Sequence, residues 1–282
     1  MLSYRHSFHA GNFADVHKHL VLSILLEYLI KKDKPLCYID THSGIGLYDL
    51  QAASAMKNQE FKDGFLKLNS DNPSTPESIT AYLNIIKNFN DNGQTRYYPG
   101  SPAIAANLLR PQDRIVLSEL HNTDYPILKQ YFHQDKRVTV HHQNGYQGLK
   151  AFLPPKEKRG LVLIDPSYEL SDEFDRVQQE ASKAYTKWPT GCYAIWYPIL
   201  LRKTIDVFEQ KMIESGIKKI LVSEICLHDD DVPKRLNGSG MMLINPPWKT
   251  DEILNDIQPW LLKQLHQDDR AKQRVEWLSG ER

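Results

Sequence analysis

Two stretches of this chain end an apolar run with an acid or amide, a proline and, two residues later, an aromatic. They are LVLIDPSYEL at 161–170 and MLINPPWKTD at 242–251. That arrangement can hold the exocyclic amine of a nucleobase. Adenine N6 is a poor nucleophile because its lone pair is delocalised into the ring. Asp165 can accept one hydrogen bond from such an amine, and the Pro166 carbonyl a second. Together they draw the nitrogen towards tetrahedral geometry and aim its lone pair at an electrophile. Tyr168 can stack on a base held out of its own stack. Positioning and electrostatics supply most of the rate of such a reaction, and Asp165 also stands ready for the released proton.

A second constellation could supply the electrophile. YIDTHSGIGLY (38–48) runs from a strand into a turn whose Gly44 and Gly46 allow close backbone approach to a ligand. A third Gly at dinucleotide spacing is missing; that residue is Asp49. Asp40 ends the strand. RIVLSEL ends in Glu119, a carboxylate suited to paired ribose hydroxyls. Asn144–Gly145 follows another strand, where an amide can meet an adenine edge. Gly100–Ser101–Pro102 opens a helix whose free amides can receive a carboxylate. Singly, the Gly turn also suits a plain strand-to-loop connection, and Glu119 a solvated strand end. In combination they suit S-adenosylmethionine better than a nicotinamide cofactor.

The elements that must position these residues can be read from periodicity. Seven short runs read as strands: 36–42, 114–120, 137–143, 161–167, 192–198, 219–227 and 240–248. Several are continuously apolar, as strands covered on both faces are. Helical patterns fall between them, beginning with VHKHLVLSILLEYLIKK (16–32). The alternation predicts an α/β fold with a mostly parallel, doubly wound, seven-stranded sheet. The interval from Gly46 to Glu119 is far longer than the usual 20 residues or so. Its excess, 48–97, contains helical patterns at 58–70 and 76–91 and reads as a small helical subdomain inserted into one domain spanning 1–282.

Topology separates the two Pro-aromatic stretches. The strand ending at Asp165 should lie beside the first strand, across the switch point where open α/β sheets bind ligands. The strand ending at Asn245 should lie farther out. The chemistry is therefore placed at Asp165–Tyr168, and NPPW reads as a structural turn in which Trp248 packs.

Composition narrows the class. A chain of 282 residues, 41% hydrophobic and 25% charged, can build one large soluble domain. Zero formal net charge argues against a uniformly basic nucleic-acid binder but allows a basic patch. Lys150, Lys156, Lys158 and Arg159, before the fourth strand, are candidates for phosphate contact or for a plain solvated loop. The three Cys sit in apolar runs and read as reduced thiols, consistent with a cytoplasmic protein. LVLSILLEYLI (20–30) is too short for a membrane span. SYRHSFHAGNFADVHKHL (3–20) concentrates four His with Arg5 and Lys18. No Cys joins them and only Asp15 offers a carboxylate, so a metal is not expected. The segment suits a lid, with Tyr4, Arg5 and His6 over the base and Lys18 and His19 near the cofactor. A solvated basic helix face stands beside that reading.

Taken together, MLSYRHSFHAGNFADVHKH, YIDTHSGIGLY, RYYPGSP, the Glu119 strand end, RGLVLIDPSYE, YAIWYP and SGMMLINPPW closely resemble the RlmJ family of 23S rRNA (adenine-N6)-methyltransferases. The resemblance runs nearly end to end, helical insert included. It implies a monomeric, cytoplasmic, Rossmann-like class I methyltransferase that takes S-adenosylmethionine and 23S rRNA, with no membrane or protein partner. Carried onto matching positions, it places cofactor contacts at His19, His42, Ser101, Glu119, Asn144, Gly145 and Asp165, makes Asp165 catalytic, and puts Tyr4 against RNA. Two departures stand out. Ser167 replaces the second proline of the family's Asp-Pro-Pro-Tyr, and Asn144 replaces an Asp. The rival readings are a DNA adenine methyltransferase, a non-catalytic RNA-binding protein on a methyltransferase scaffold, and a nicotinamide-dependent dehydrogenase. The missing Gly and the distant acid weigh against the last.

Overall fold

A computed structural model describes residues 5–68, 74–90, 94–233, 235–266 and 269–280. Helix α1 (Phe13–Ile30) precedes strand β1 (Cys37–Asp40). The insert follows: β2 (Leu47–Asp49), α2 (Ala53–Asn58), two single 3-10 turns, α3 (Glu77–Lys87) and β3 (Tyr97–Pro99). The chain continues through α4 (Ser101–Leu108), β4 (Arg114–Glu119), α5 (Asp124–Tyr131), β5 (Val138–His142), α6 (Gly145–Phe152) and β6 (Gly160–Ile164). It ends with α7 (Glu173–Lys187), β7 (Cys192–Ile199), α8 (Arg202–Glu214), β8 (Ile220–Cys226), β9 (Gly238–Ile244), α9 (Thr250–Leu265) and β10 (Lys272–Ser279).

Among the described residues the main sheet has eight strands, ordered β10-β8-β9-β7-β6-β1-β4-β5. It is doubly wound and mostly parallel, as the alternation predicts, with β9 and β10 antiparallel to their neighbours. The expected count of seven is corrected to eight: KQRVEWLS forms an edge strand on β8, its residues exposed or half-buried. β6 does lie beside β1, and β9 lies outside β7. The register pairs Asp40 with both Leu117 and Leu163, so Asp40, Glu119 and Asp165 emerge at one sheet edge.

The insert begins and ends in a short antiparallel ribbon, Leu47–Asp49 against Tyr97–Pro99. The helix expected over 58–70 is corrected: α2 ends at Asn58, and the described part of that stretch forms only the 3-10 turns Glu60–Lys62 and Phe65–Lys67, residues 69 and 70 lying outside the described residues. Phe61, Phe65, Ile79, Tyr82 and Ile86 of the insert join one apolar core with α1 and the sheet. Covered by insert and sheet together, α1 is buried from Ala14 to Leu26, more than a single apolar stripe would give. Asn12 caps α1 by accepting the Asp15 N–H at 2.9 Å.

Strands β1 and β6 meet closely where Gly160 faces Cys37: a Cβ there would sit 1.9 Å from the Cys37 carbonyl oxygen. Gly160→Ala is expected to destabilise the fold by about 1–3 kcal/mol. Urea denaturation checks this; an unchanged midpoint would mean that β1 and β6 yield easily.

Candidate active site

The carboxyl edge of the sheet opens into a cleft of about 360 Å³ on either side of the β1–β6 junction. Its floor is organised by α1. The Asp15 carboxylate accepts the Gly11 N–H at 2.9 Å and pairs with His6 Nε2 at 2.8 Å and Lys18 Nζ at 2.9 Å. Lys18 Nζ also reaches Asp165 Oδ2 at 2.5 Å and lies 5.6 Å from the centroid of the Trp196 ring. Burial works against the charge on both Asp15 and Lys18. Around Asp15 the His6 ring and the Lys18 ammonium prevail and hold its pKa well below the usual range. Around Lys18 the Asp15 and Asp165 carboxylates prevail and keep the ammonium protonated. One ammonium therefore joins the N-terminal turn to the loop after β6.

Its neighbour His19 is neutral, its pKa pushed down to about 3 by burial, and its Nδ1 meets the Tyr98 hydroxyl at 2.9 Å. His17 is likewise pushed down to about 3 and spans Ser239 and Ser223 at 3.0 Å each, beneath the cleft. Ser239 also accepts the Trp196 indole N–H at 3.0 Å. Each His of the N-terminal cluster thus has its own partner: His6 Asp15, His9 Glu60, His17 two serines, His19 a tyrosine.

On the β1–β4 side, Asp40 accepts hydroxyls from Tyr38 and Ser101, each at 2.7 Å, and the His42 N–H at 3.2 Å. Burial raises its pKa to about 6 despite those donors. Glu119 accepts the Gly44 N–H at 2.8 Å and the His121 N–H at 2.7 Å, and burial raises it to about 7. His42, pushed down to about 3 by burial, packs edge-on against Tyr146 at 5.2 Å. Asn144 caps α6 by accepting the Tyr146 N–H at 3.0 Å. A Cβ on Gly145 would lie 2.0 Å from the Thr41 carbonyl oxygen, so this glycine lets α6 start against the β1 turn.

At Asp-Pro-Ser-Tyr, Tyr168 has φ +52°, its hydroxyl donates to the Trp196 carbonyl at 2.8 Å, and its ring packs on Phe174 at 4.6 Å. It walls the cleft with Pro166 and Ser167. The cleft brings together His6, Lys18, His19, His42, Gly44, Ser101, Glu119, Asn144, Gly145, Asp165, Pro166 and Tyr168, as the sequence reading groups them.

Two expectations are not met. Arg5 is absent from the cleft wall and stands 3.6 Å from Asp124. Trp248 does not pack: it is 73% exposed, because α9 starts only at Thr250 after a left-handed Lys249, leaving the indole outside the fold. The cationic loop with Lys156, Lys158 and Arg159, a candidate for phosphate contact, precedes β6 and so lies at the sheet edge opposite the cleft. Tyr4 lies outside the described residues. Asn245 also points away from the cleft, donating to the Pro189 and Gly191 carbonyls at 2.8 and 2.9 Å.

Asp15, Asp124, Glu173, Arg176 and Trp196, none of them expected at the cleft, also line it. Asp15 and Lys18 carried a signal, an acid and a base one helical turn apart entering an apolar helix. Glu173 receives the Tyr146 hydroxyl at 2.5 Å and Arg176 lies 4.7 Å over the Tyr146 ring, a contact between distant helices that leaves no local motif. Asp124 Oδ1 is buried at the cleft and makes no hydrogen bond among the described residues, standing 3.6 Å from Arg5 and 3.7 Å from His121 Nδ1. Histidines aside, the wall carries six carboxylates (Asp15, Glu119, Asp124, Asp165, Glu169, Glu173) and two cations (Lys18, Arg176). Such a cavity suits a ligand that is itself cationic and rich in hydroxyls and amines.

A family model described as "Ribosomal RNA large subunit methyltransferase D, RlmJ" matches residues 33–279. The chain is 48% identical over 282 residues to ribosomal RNA large subunit methyltransferase J of Haemophilus influenzae, covering 100% of both. It is 44% identical over 281 residues to the protein of that name from Escherichia coli, again covering 100% of both. A solved structure of a Legionella pneumophila protein is similar over 95% of this chain and 98% of that one, with 39% identity and a TM-score of 0.87.

Removing the shared ammonium would strand two carboxylates. Lys18→Met is expected to cost about 3 kcal/mol, the usual penalty for breaking a buried pair on one side. Urea denaturation at neutral pH measures it; a loss of a few tenths of a kcal/mol would show that the ion pairs do not hold the N-terminal turn.

Proposed function

The chain belongs to the RlmJ family of ribosomal RNA large subunit methyltransferases, and from that premise we propose that it methylates adenine N6 in 23S rRNA. It is a methyltransferase with the Rossmann-like class I fold, its substrate is ribosomal RNA, and its methyl donor is S-adenosylmethionine. The observation that carries the finer reading is the position of Asp165: a carboxylate at the end of the strand beside β1, next to the glycine turn and within the acidic cleft.

S-adenosylmethionine, when bound, supplies an electrophilic methyl carried by a sulfonium. The residues that would hold it are Glu119 for ribose hydroxyls, Asn144 and Gly145 at the adenine, and Ser101, His19, His42, Gly44 and Lys18 around the remainder. The excess of cleft carboxylates favours its positive charge.

The target adenine enters from the other side. The Asp165 carboxylate accepts one N6 hydrogen and the Pro166 carbonyl accepts the other, which localises the nitrogen lone pair. The same two oxygens stabilise the positive charge that builds on N6 as its new bond to carbon forms. N6 then sheds one proton, to Asp165 or through water. Lys18 holds the Asp165 carboxylate in place until the amine arrives and shares its oxygen. The Tyr168 ring, anchored through its hydroxyl to Trp196, offers the flipped base a stacking face. His6, fixed on Asp15 and edge-on to Tyr48 at 5.3 Å, covers the base from the N-terminal side. Ser167 changes neither hydrogen-bond acceptor, and Asn144 retains its capping oxygen, so both departures are compatible with turnover.

Transfer of labelled methyl to protein-free 23S rRNA and to duplex DNA tests the reading. Label should appear at adenine N6 of the RNA, fall by about 10²–10³-fold in Asp165→Ala, and merely decline in Asn245→Ala. Equal losses in the two variants, or label on DNA alone, would reject it. The state of Glu119 gives a further check. Its raised pKa means that the carboxylate ionises as pH climbs through about 7, becoming the stronger acceptor and a counter-charge. Calorimetric affinity for S-adenosylmethionine should therefore increase from about pH 6 to about pH 8 in the wild type and stay flat in Glu119→Gln. Parallel profiles would remove Glu119 from the cofactor site.

A further inference from the structure

The cleft that would receive the adenine has six carboxylates against two cations, which is the wrong balance for a polyanion. RNA affinity rests on Lys and Arg meeting phosphates, so those cations must stand elsewhere. The opposite edge of the sheet supplies them. Four connections enter the amino ends of β1, β4, β5 and β6: residues 31–34, 110–114, 135–137 and 156–159. They contain ten Lys and Arg against four acids, in a chain whose formal net charge is zero.

These charges are of two kinds. The arginines are fixed scaffolding. Arg110 and Arg159 donate to carbonyls at and beyond the end of α1, and Arg110, Arg114 and Arg137 are paired with Asp113, Glu157 and Asp135. The lysines are not. Lys31, Lys32, Lys34, Lys136, Lys156 and Lys158 are exposed and form no ion pair among the described residues. Lys34, Lys136 and Lys156 converge on one open groove, with Pro35, Pro111 and Thr139 between them.

The groove connects to the cleft along an open edge. β5 is the last strand of the sheet and pairs only with β4. Its residues, VTVHH, include no acid and run from Arg137 in the groove to Asn144 at the cleft. At about 3.3 Å per residue that path is on the order of 20 Å long, the scale of one RNA helix width. No repulsive charge on the strand itself interrupts it.

We propose that the lysine groove at the amino edge of β1, β4, β5 and β6 is a second RNA-binding surface. It takes phosphates of the ribosomal RNA substrate at a distance from the reacting adenine, with the backbone passing over the β5 edge. This rests on the reading of the substrate as rRNA. It assigns affinity and chemistry to opposite edges of one sheet. The acidic cleft then serves the cationic cofactor, and substrate length decides binding strength.

The test compares wild type with Lys34→Gln/Lys136→Gln/Lys156→Gln on in vitro transcribed 23S rRNA and on a hairpin of a few base pairs carrying the target adenine. For the long RNA the KM of the triple variant should increase about tenfold or more at moderate salt with kcat unchanged. The slope of log affinity against log salt should shrink by about 2, near 0.7–0.9 per lost phosphate contact. For the short hairpin KM should not move, and calorimetric affinity for S-adenosylmethionine should stay at the wild-type value. Lys183→Gln/Lys218→Gln/Lys263→Gln, an equal charge change outside the groove, should behave as wild type on both RNAs. Unchanged KM and salt slope for the long RNA overturn the proposal, as does an equal change in the control variant. If wild type labels no rRNA at all, the reading of the substrate fails instead.

Discussion

A single buried ammonium ties this protein together at its working end. Lys18 is 4% exposed and lies between Asp15, one turn back on its own helix, and Asp165, on the loop after β6. An ammonium in that position is tolerable only because two carboxylates compensate its desolvation, and each carboxylate needs it in return. The arrangement orients Asp165 before any substrate arrives. It also fixes the N-terminal turn, since Asp15 holds His6 and the Gly11 amide. The group proposed for catalysis and the segment proposed to cover the base therefore share one counter-ion.

The rest of the fold makes that contact possible. α1 must be buried on all sides for Lys18 to reach across the sheet edge, and the insert supplies the covering layer that the sheet lacks. The switch point between β1 and β6 then opens the sheet at the residues that α1 meets from below. Beneath them a neutral relay, with Gln258 and His17 both bonded to Ser223 and His17 and Trp196 both bonded to Ser239, fixes the far wall. Neutrality matters here. A protonated His17 would place an unpaired cation below Lys18, and burial prevents it.

How much of this the sequence carries depends on how local each signal is. β1, β4, β6, β7 and β8 are buried on one or both faces and read as apolar runs, so the sheet and the place of Asp165 are legible. β10 is polar and half-exposed, and β2 and β3 span three residues each, too short for periodicity to register. The strand-end acids Asp40 and Glu119 can be read because a parallel sheet puts every strand end at one edge. The Lys18–Asp165 pair cannot: the two residues are 147 apart, and only the packing of α1 joins them. Trp248 shows the opposite failure. A large aromatic after two prolines suggests burial, yet a left-handed residue directly after it turns the helix start away. The lysines before β6 are visible as a cluster, but only the topology reveals which edge they occupy and that three other connections join them.

The most direct measurement is a crystal structure of the protein with S-adenosylhomocysteine and an adenine-bearing RNA fragment. The base should lie extruded beside Tyr168, its N6 within hydrogen-bond distance of an Asp165 oxygen, and the sulfur over the Gly44 turn facing that nitrogen. A cofactor product seated away from Glu119 and Gly44, with Asp165 still closed on Lys18 and the base bound elsewhere, would contradict that arrangement.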